Sequence, residues 1–184
     1  MADSGAVYGL KEWDVICRAL EYGHQSILLK AGGIHDSSRW FEDLPRSFYL
    51  MPTDFHAQTD LVHWQTPEEY VPASKWSIRS WANVREVFRF EDWDVVKQLS
   101  PLHVFKESPV RKRFETQGDQ GLWVIVVRVY RLEREWILPD LEEYGGCRSL
   151  IPLPDCPVSR TDTPCMDRSQ LESILEFCRT LSDG

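Results

Sequence analysis

A group of basic residues in the second half of the chain has the side-chain chemistry best suited to a binding site. Between His103 and Arg134 the sequence holds seven basic and four acidic residues, a local charge of +3, although the whole 184-residue chain carries −8. The basic residues are Lys106, Arg111, Lys112, Arg113, Arg128, Arg131 and Arg134. Arginine binds phosphate and carboxylate groups through paired hydrogen bonds, so the segment predicts a site for an anionic ligand. The alternative is a solvated helix face with ion pairs to the surplus acidic residues.

A glycine pair is a second candidate for anion binding. Lys30 lies at the end of a short apolar run, and Gly32 and Gly33 follow it closely. Successive backbone N–H groups at such a turn can form a concave nest for an anion, although a plain tight turn explains the glycines as well. The predicted ligand-binding residues are therefore Lys30, Gly32, Gly33, Arg111, Arg113, Arg128, Arg131 and Arg148.

The common catalytic and metal-binding motifs are missing from the sequence. It contains no phosphate loop, no dinucleotide-binding glycine pattern, no nucleophile elbow and no H-E-x-x-H zinc motif. No lysine follows an acidic residue by two positions, the spacing expected of a restriction-type nuclease. His56 and His63 with Asp54 and Asp60 could hold a metal, but the polar surface of a loop explains them equally. We therefore predict no metal and no cofactor, and the sequence does not favour an enzyme.

The elements that would position these residues do not alternate regularly between strand and helix. Residues 10–22 have apolar side chains at spacings of three and four, which predicts a helix. The run 122–132 is the clearest strand, and 169–182 predicts an amphipathic helix near the end of the chain. A doubly wound sheet does not fit this order. We expect an α+β fold with a mixed or antiparallel curved sheet and flanking helices.

Composition and length favour one folded domain, placed at residues 10–153. Residues 154–184 are predicted to form a linker and a C-terminal amphipathic helix. The chain is 42% hydrophobic and has eight Trp, enough large apolar side chains for a core. It has no apolar run long enough to span a membrane, and its first residues lack the features of a secretion signal. We therefore predict a cytoplasmic location and no membrane partner.

Several segments taken together resemble an uncharacterised bacterial family, domain of unknown function 1802. The matching segments are ALEYGHQSILLKAGGI at 19–34, FYLMPTDFH at 48–56, PLHVFKESPVRKRF at 101–114, LWVIVVRVYRL at 122–132 and YGGCRSLIPL at 144–153. The family pattern places a glutamine directly after the histidine of the second segment, whereas Ala57 stands there and Gln58 follows. The resemblance implies a role beside nucleic-acid defence, because family members have been linked to restriction-endonuclease-like domains.

The first of these segments is also similar to the start of the small RNA-binding barrels of the PUA and ASCH type. That likeness implies a barrel-like form of the curved sheet. Our leading hypothesis is a module that binds nucleic acid or another phosphate-bearing ligand. The first alternative is a divergent metal-dependent nuclease that uses Asp54, Asp60, Glu68 and Glu69. The second is a protein-interaction domain in which the arginines are structural.

Overall fold

The structure is a computed structural model that describes residues 7–31, 44–53, 58–65, 76–116, 120–146 and 148–184. Within these ranges the chain forms seven strands and four α-helices. The strands are β1 (Val7–Trp13), β2 (Ile27–Ala31), β3 (Ser47–Thr53), β4 (Ser77–Phe90), β5 (Leu122–Ile137), β6 (Leu150–Leu153) and β7 (Arg160–Pro164). The helices are α1 (Asp14–Glu21), α2 (Trp93–Gln98), α3 (Glu107–Phe114) and α4 (Arg168–Ser182). None of these helices is both long and apolar enough to cross a membrane.

The strands described above form one mixed sheet. Six of them follow the order β2-β5-β4-β3-β1-β6, and β7 pairs with β5 beside this path. β1 and β3 run parallel, whereas the other pairings are antiparallel. The long β4–β5 pairing shifts register at two places, and such bulges bend and twist a sheet. The prediction of an α+β fold is confirmed. Of the two kinds of sheet that were predicted, mixed and antiparallel, the sheet is mixed.

The helix predicted for residues 10–22 is wrong in its first four residues. They belong to β1, and the helix begins only at Asp14. β1 lies between β3 and β6, so its backbone hydrogen bonds are made with two neighbouring strands. These tertiary pairings override the local spacing, which by itself fits a helix. As a result Trp13 stands at the junction of a strand and a helix.

The strand predicted at 122–132 is correct, and β5 continues it to Ile137. Residues 124–127 have no exposed surface, as the continuous apolar run indicates. β5 pairs with β2, β4 and β7, which makes it the strand with the most neighbours among those described.

The C-terminal stretch adds a strand and a helix to the same body. α4 covers the predicted helix at 169–182, and its buried side chains are Leu171, Ile174, Leu175 and Cys178. They belong to the hydrophobic cluster that also contains β2 and β5 side chains. β7, which lies in the predicted linker, pairs with β5. A domain boundary at residue 153 stays a prediction. It can be tested by substituting the buried side chains of α4.

Candidate anion-binding site

A buried group of three charged side chains lies where β1 ends. Glu12 is 4% exposed and lies next to two basic side chains. The Lys30 Nζ atom is 2.8 Å from its Oε2 atom, and Nζ also donates a hydrogen bond to the backbone carbonyl of Lys11. The Arg113 Nη2 atom is 3.7 Å from the other carboxylate oxygen. Two of the predicted ligand-binding residues, Lys30 and Arg113, therefore share one carboxylate.

This group carries one more positive charge than negative charge. Burial disfavours the ionised form of Glu12, but Lys30 and Arg113 outweigh that effect and hold its pKa below the usual value. Burial lowers the pKa of Arg113, and the charge of Glu12 opposes the shift. An arginine with a lowered pKa is still protonated near neutral pH. Because uncompensated buried charge is costly, an anion beside Arg113 would be stabilised.

A cleft of about 560 Å³ opens directly beside this group. Its apolar lining comes from Trp13, Leu61 and Pro109, and its polar lining comes from Ser108, Lys112, Arg113 and Thr116. The volume lies in the range that holds small ligands. An apolar wall with a few basic and hydroxyl groups suits a flat ring that carries an anionic group.

Arg113 has donors to spare at the edge of this cleft. Its guanidinium lies 4.5 Å from the ring centre of Trp13 and 4.3 Å from that of Phe105, which keeps the group in place. A guanidinium has five N–H donors. The hydrogen bond that Arg113 makes within the described residues goes to the carbonyl of Pro109, at 3.4 Å. Apart from this bond and the ion pair with Glu12, the guanidinium has no polar partner among the described residues, so some of its N–H groups could bind a ligand.

The geometry of α3 separates the two arginines that were predicted there. Val110 is buried and stands three residues before Arg113, so both are on the inner side of the helix. Arg111 is two residues away from Arg113, about 200° around the helix axis. It forms an ion pair with Glu115 at 2.7 Å and lies over the ring of Trp93. Arg113 is therefore at the cleft, and Arg111 is engaged elsewhere.

The positive charge of Arg113 also affects a neighbouring histidine. His103 is buried, and its ring centre is 5.8 Å from that of Phe105. Burial, the charge of Arg113 and the charge of His63, in that order, lower the pKa of His103 to about 4. His103 is therefore neutral at physiological pH and adds no charge to the site.

The other predicted residues that the structure describes do not join this site. The Arg128 guanidinium lies 5.7 Å from the ring centre of Tyr130, and its Nε atom is buried without a hydrogen-bond partner. Arg148 is exposed. Gly32 and Gly33 lie outside the described residues, so the predicted backbone nest stays a prediction.

Arg131 lies in a separate pocket of about 250 Å³, which we call the arginine pocket. Its lining residues are Arg18, Glu21, Tyr22, Arg79, Arg131, Leu132, Arg134 and Glu135. Arg131 donates two hydrogen bonds to the backbone carbonyl of Glu21, at 2.8 and 3.3 Å. Two basic residues of the segment 103–134 thus meet here, together with arginines from α1 and β4.

The residues proposed for a metal-dependent nuclease are mostly outside the described part of the chain. Asp54, His56, Glu68 and Glu69 lie outside the described residues. Asp60 is exposed, and its backbone carbonyl accepts a hydrogen bond from Lys106. Within the described ranges no three His, Cys, Asp or Glu residues are grouped in a way that could hold a metal.

Sequence reasoning missed Glu12 and Trp13, which contribute directly to the cleft and its charged group. Both lie in the segment 10–22, which was predicted as a helix with Trp13 on its apolar face and Glu12 away from that face. It also missed Arg18, Tyr22 and Arg79 in the arginine pocket. Arg18 and Tyr22 are four residues apart, so their spacing could have shown that they share one face of a helix. No local pattern connects them to Arg79 on β4.

Comparison with known proteins gives a family from one source and a fold from another. A family model described as "Domain of unknown function (DUF1802)" matches residues 9–176. A crystal structure of ASCH from Zymomonas mobilis is similar over 93% of this chain and 94% of that chain, with a TM-score of 0.52 and 13% sequence identity. No curated protein matches the sequence significantly.

Two single-residue variants of the Zymomonas mobilis protein are similar as well. One covers 81% of this chain and 89% of its own length, with a TM-score of 0.53 and 13% identity. The other covers 82% and 91%, with a TM-score of 0.51 and 14% identity. At this identity the likeness shows the fold alone, and it confirms the ASCH-like form of the predicted sheet.

Proposed function

This chain belongs to the family described as "Domain of unknown function (DUF1802)", and we propose that it is a module that binds single-stranded nucleic acid in the cleft beside Trp13 and Arg113. The family description names no activity, so the proposal depends on the geometry of the site. A cytoplasmic location, a bacterial origin and a role in defence stay predictions.

The observation that carries the proposal is the excess positive charge in the buried group around Glu12. Lys30 alone would neutralise Glu12, yet Arg113 is present as well and lines the cleft. Burying a second cation beside a carboxylate that is already paired is costly unless another anion compensates it. A phosphate group would supply the missing negative charge and accept hydrogen bonds from the guanidinium.

The cleft also has the features that recognise a base. Trp13 offers a large aromatic surface next to a cationic group, and single-stranded nucleic acids are bound by stacking on aromatic rings beside basic side chains. Lys112 and Ser108 add a second positive charge and a hydroxyl donor. The net charge of the chain disfavours broad contact with a duplex, whose two strands present closely spaced phosphates.

The test is a binding measurement with fluorescently labelled single-stranded RNA and DNA at low salt. Arg113→Gln should weaken binding at least about tenfold, because it removes a charge-assisted hydrogen bond at the ligand. The variant should still fold, because Glu12 and Lys30 then form a balanced pair. Arg111→Gln is the matched control on the same helix, and its affinity should equal that of the unsubstituted protein.

Two results would overturn the proposal. One is the absence of measurable affinity for any single-stranded oligonucleotide. The other is equal binding by Arg113→Gln and the unsubstituted protein. Incubation of the same oligonucleotides with Mg²⁺ should leave them intact, whereas cleavage that a chelator abolishes would replace the binding module with a nuclease.

A further inference from the structure

The arginine pocket lies at the opposite end of α1 from the cleft. Trp13 precedes the helix and Tyr22 follows it, and eight helical residues span about 12 Å. Four arginines and two glutamates line the pocket, so its formal charge is positive. Such a concentration of arginine in an acidic chain requires a physical explanation.

The two carboxylates of the pocket hold two of its arginines in place. Glu21 is buried and accepts hydrogen bonds from Arg18 at 2.8 Å and from the Ser80 hydroxyl at 2.9 Å. A carboxylate oxygen of Glu135 lies 2.8 Å from the Arg79 Nε atom. Fixed guanidinium groups lose little conformational freedom when a ligand binds, which favours affinity.

The other two arginines are not neutralised in this way. Among the described residues neither Arg131 nor Arg134 forms an ion pair with a carboxylate. The Nη1 atom of Arg79 is buried without a hydrogen-bond partner. A buried donor without an acceptor is costly. A phosphate group offers several acceptor oxygens and the negative charge that the pocket lacks.

An aromatic cluster adjoins the pocket, formed by Tyr22, His24 and Trp64. The ring centres of Tyr22 and Trp64 are 6.0 Å apart, and those of His24 and Trp64 are 5.1 Å apart. Tyr22 is 48% exposed, and the Arg131 guanidinium lies 5.4 Å from its ring centre. Exposed rings beside a phosphate-binding group are the arrangement on which bases stack.

The same cluster is close to the cleft along the chain. Leu61 lines the cleft, and Trp64 follows it by three residues, a distance of at most about 11 Å. α1 separates Trp13 from Tyr22 by a similar distance. A short stretch of single-stranded nucleic acid could therefore extend from the cleft, along the aromatic cluster, to the arginine pocket.

We infer that the arginine pocket is a second phosphate-binding site, which takes a phosphate further along the strand held in the cleft, beyond the reach of a dinucleotide. The identity of this ligand rests on the proposed function. The affinity of the pocket for phosphate itself does not, and it can be measured separately.

The experiment compares a dinucleotide with an octanucleotide of the same base composition. Arg134→Gln should weaken octanucleotide binding at least about fivefold and leave dinucleotide binding unchanged, because only the longer strand reaches the pocket. Arg134 is exposed, so its replacement should not affect folding. Arg85→Gln on β4, exposed and outside the pocket, is the matched control and should bind like the unsubstituted protein. Tyr22→Leu should weaken the octanucleotide selectively as well.

The outcomes separate this inference from the proposed function. If Arg113→Gln abolishes dinucleotide binding while Arg134→Gln and Tyr22→Leu leave octanucleotide binding unchanged, the pocket is not a nucleotide site and the proposed function stands. If no oligonucleotide binds, the proposed function is overturned. Inorganic phosphate should raise the melting temperature of the unsubstituted protein more than that of Arg134→Gln. An equal rise in both would overturn the pocket as a phosphate site.

Discussion

Glu12 is the shared partner of two basic side chains in a buried charged group. Its carboxylate is the counter-charge of Lys30 and Arg113, and almost none of it is exposed to water. Removing one member of a buried ion pair is far more costly than the pair is favourable, because the partners stay buried without compensation. The stability of the site and its charge therefore depend on this one side chain.

Glu12→Gln should lower the free energy of unfolding by about 3–5 kcal/mol, because two buried cations would lose their anion. Chemical denaturation measures the change. Glu91→Gln is the control, since Glu91 forms an exposed ion pair with Arg89 at 3.0 Å and its loss should cost less than about 1 kcal/mol. Equal effects of the two substitutions would show that the group around Glu12 is effectively solvated.

At the scale of single residues, composition and charge identified Lys30 and Arg113 but not their arrangement. Lys30 stood out as a cation at the end of an apolar run, and Arg113 as part of a basic segment. Their common partner could not be found, because Lys30 lies on β2 and Arg113 on α3, and the spacing around Glu12 does not show that these two elements approach the end of β1. An acidic residue in a strand becomes informative only when the elements packed around it are known.

At the scale of elements, β5 and α4 were predictable because each has a strong periodic pattern. The apolar run of β5 requires burial on both faces, and the stripe on α4 requires one packed face. β1 was not predictable, because its four residues before Asp14 extend the helical spacing of α1. Here the hydrogen bonds to neighbouring strands decide the structure, and local preference does not.

The packing of α4 predicts that the helix is part of the domain core. Leu171 is 1% exposed and packs with side chains of the main sheet, so Leu171→Ala should lower the free energy of unfolding by about 2–5 kcal/mol. Thermal or denaturant unfolding measures the loss. Phe177→Ala is the control on the same helix, because Phe177 is 38% exposed and should contribute less.

The opposite result would favour the boundary predicted at residue 153. If Leu171→Ala unfolds like the unsubstituted protein, α4 is an appendage whose packing adds little stability. A single cooperative transition shifted to lower denaturant, with an unchanged slope, would instead show that α4 unfolds together with the sheet.

At the scale of the whole molecule, the chain combines a net charge of −8 with two separate groups of basic residues, at the cleft and in the arginine pocket. The sequence revealed the uneven charge, and the order of the predicted elements indicated a mixed or antiparallel sheet. The distribution of the basic residues over two sites could not be predicted from the sequence. Arg113 and Arg131 are close in sequence, but α3 and β5 place them in different pockets, and the partners in each pocket come from distant segments.

This charge distribution predicts a weak dependence of nucleic-acid affinity on salt. If one phosphate binds at the cleft and one in the arginine pocket, the logarithm of the association constant should fall with the logarithm of salt concentration with a slope of about −1.4, because each phosphate contact on a single strand contributes about −0.7. Titrations at several KCl concentrations measure the slope, and Arg134→Gln should reduce it by about half.

A duplex of the same sequence should bind more weakly, because the acidic remainder of the surface repels its phosphates. A slope near zero would mean that the bound surface is apolar, as in a protein-interaction domain. A much steeper slope would mean that further basic residues contact the strand.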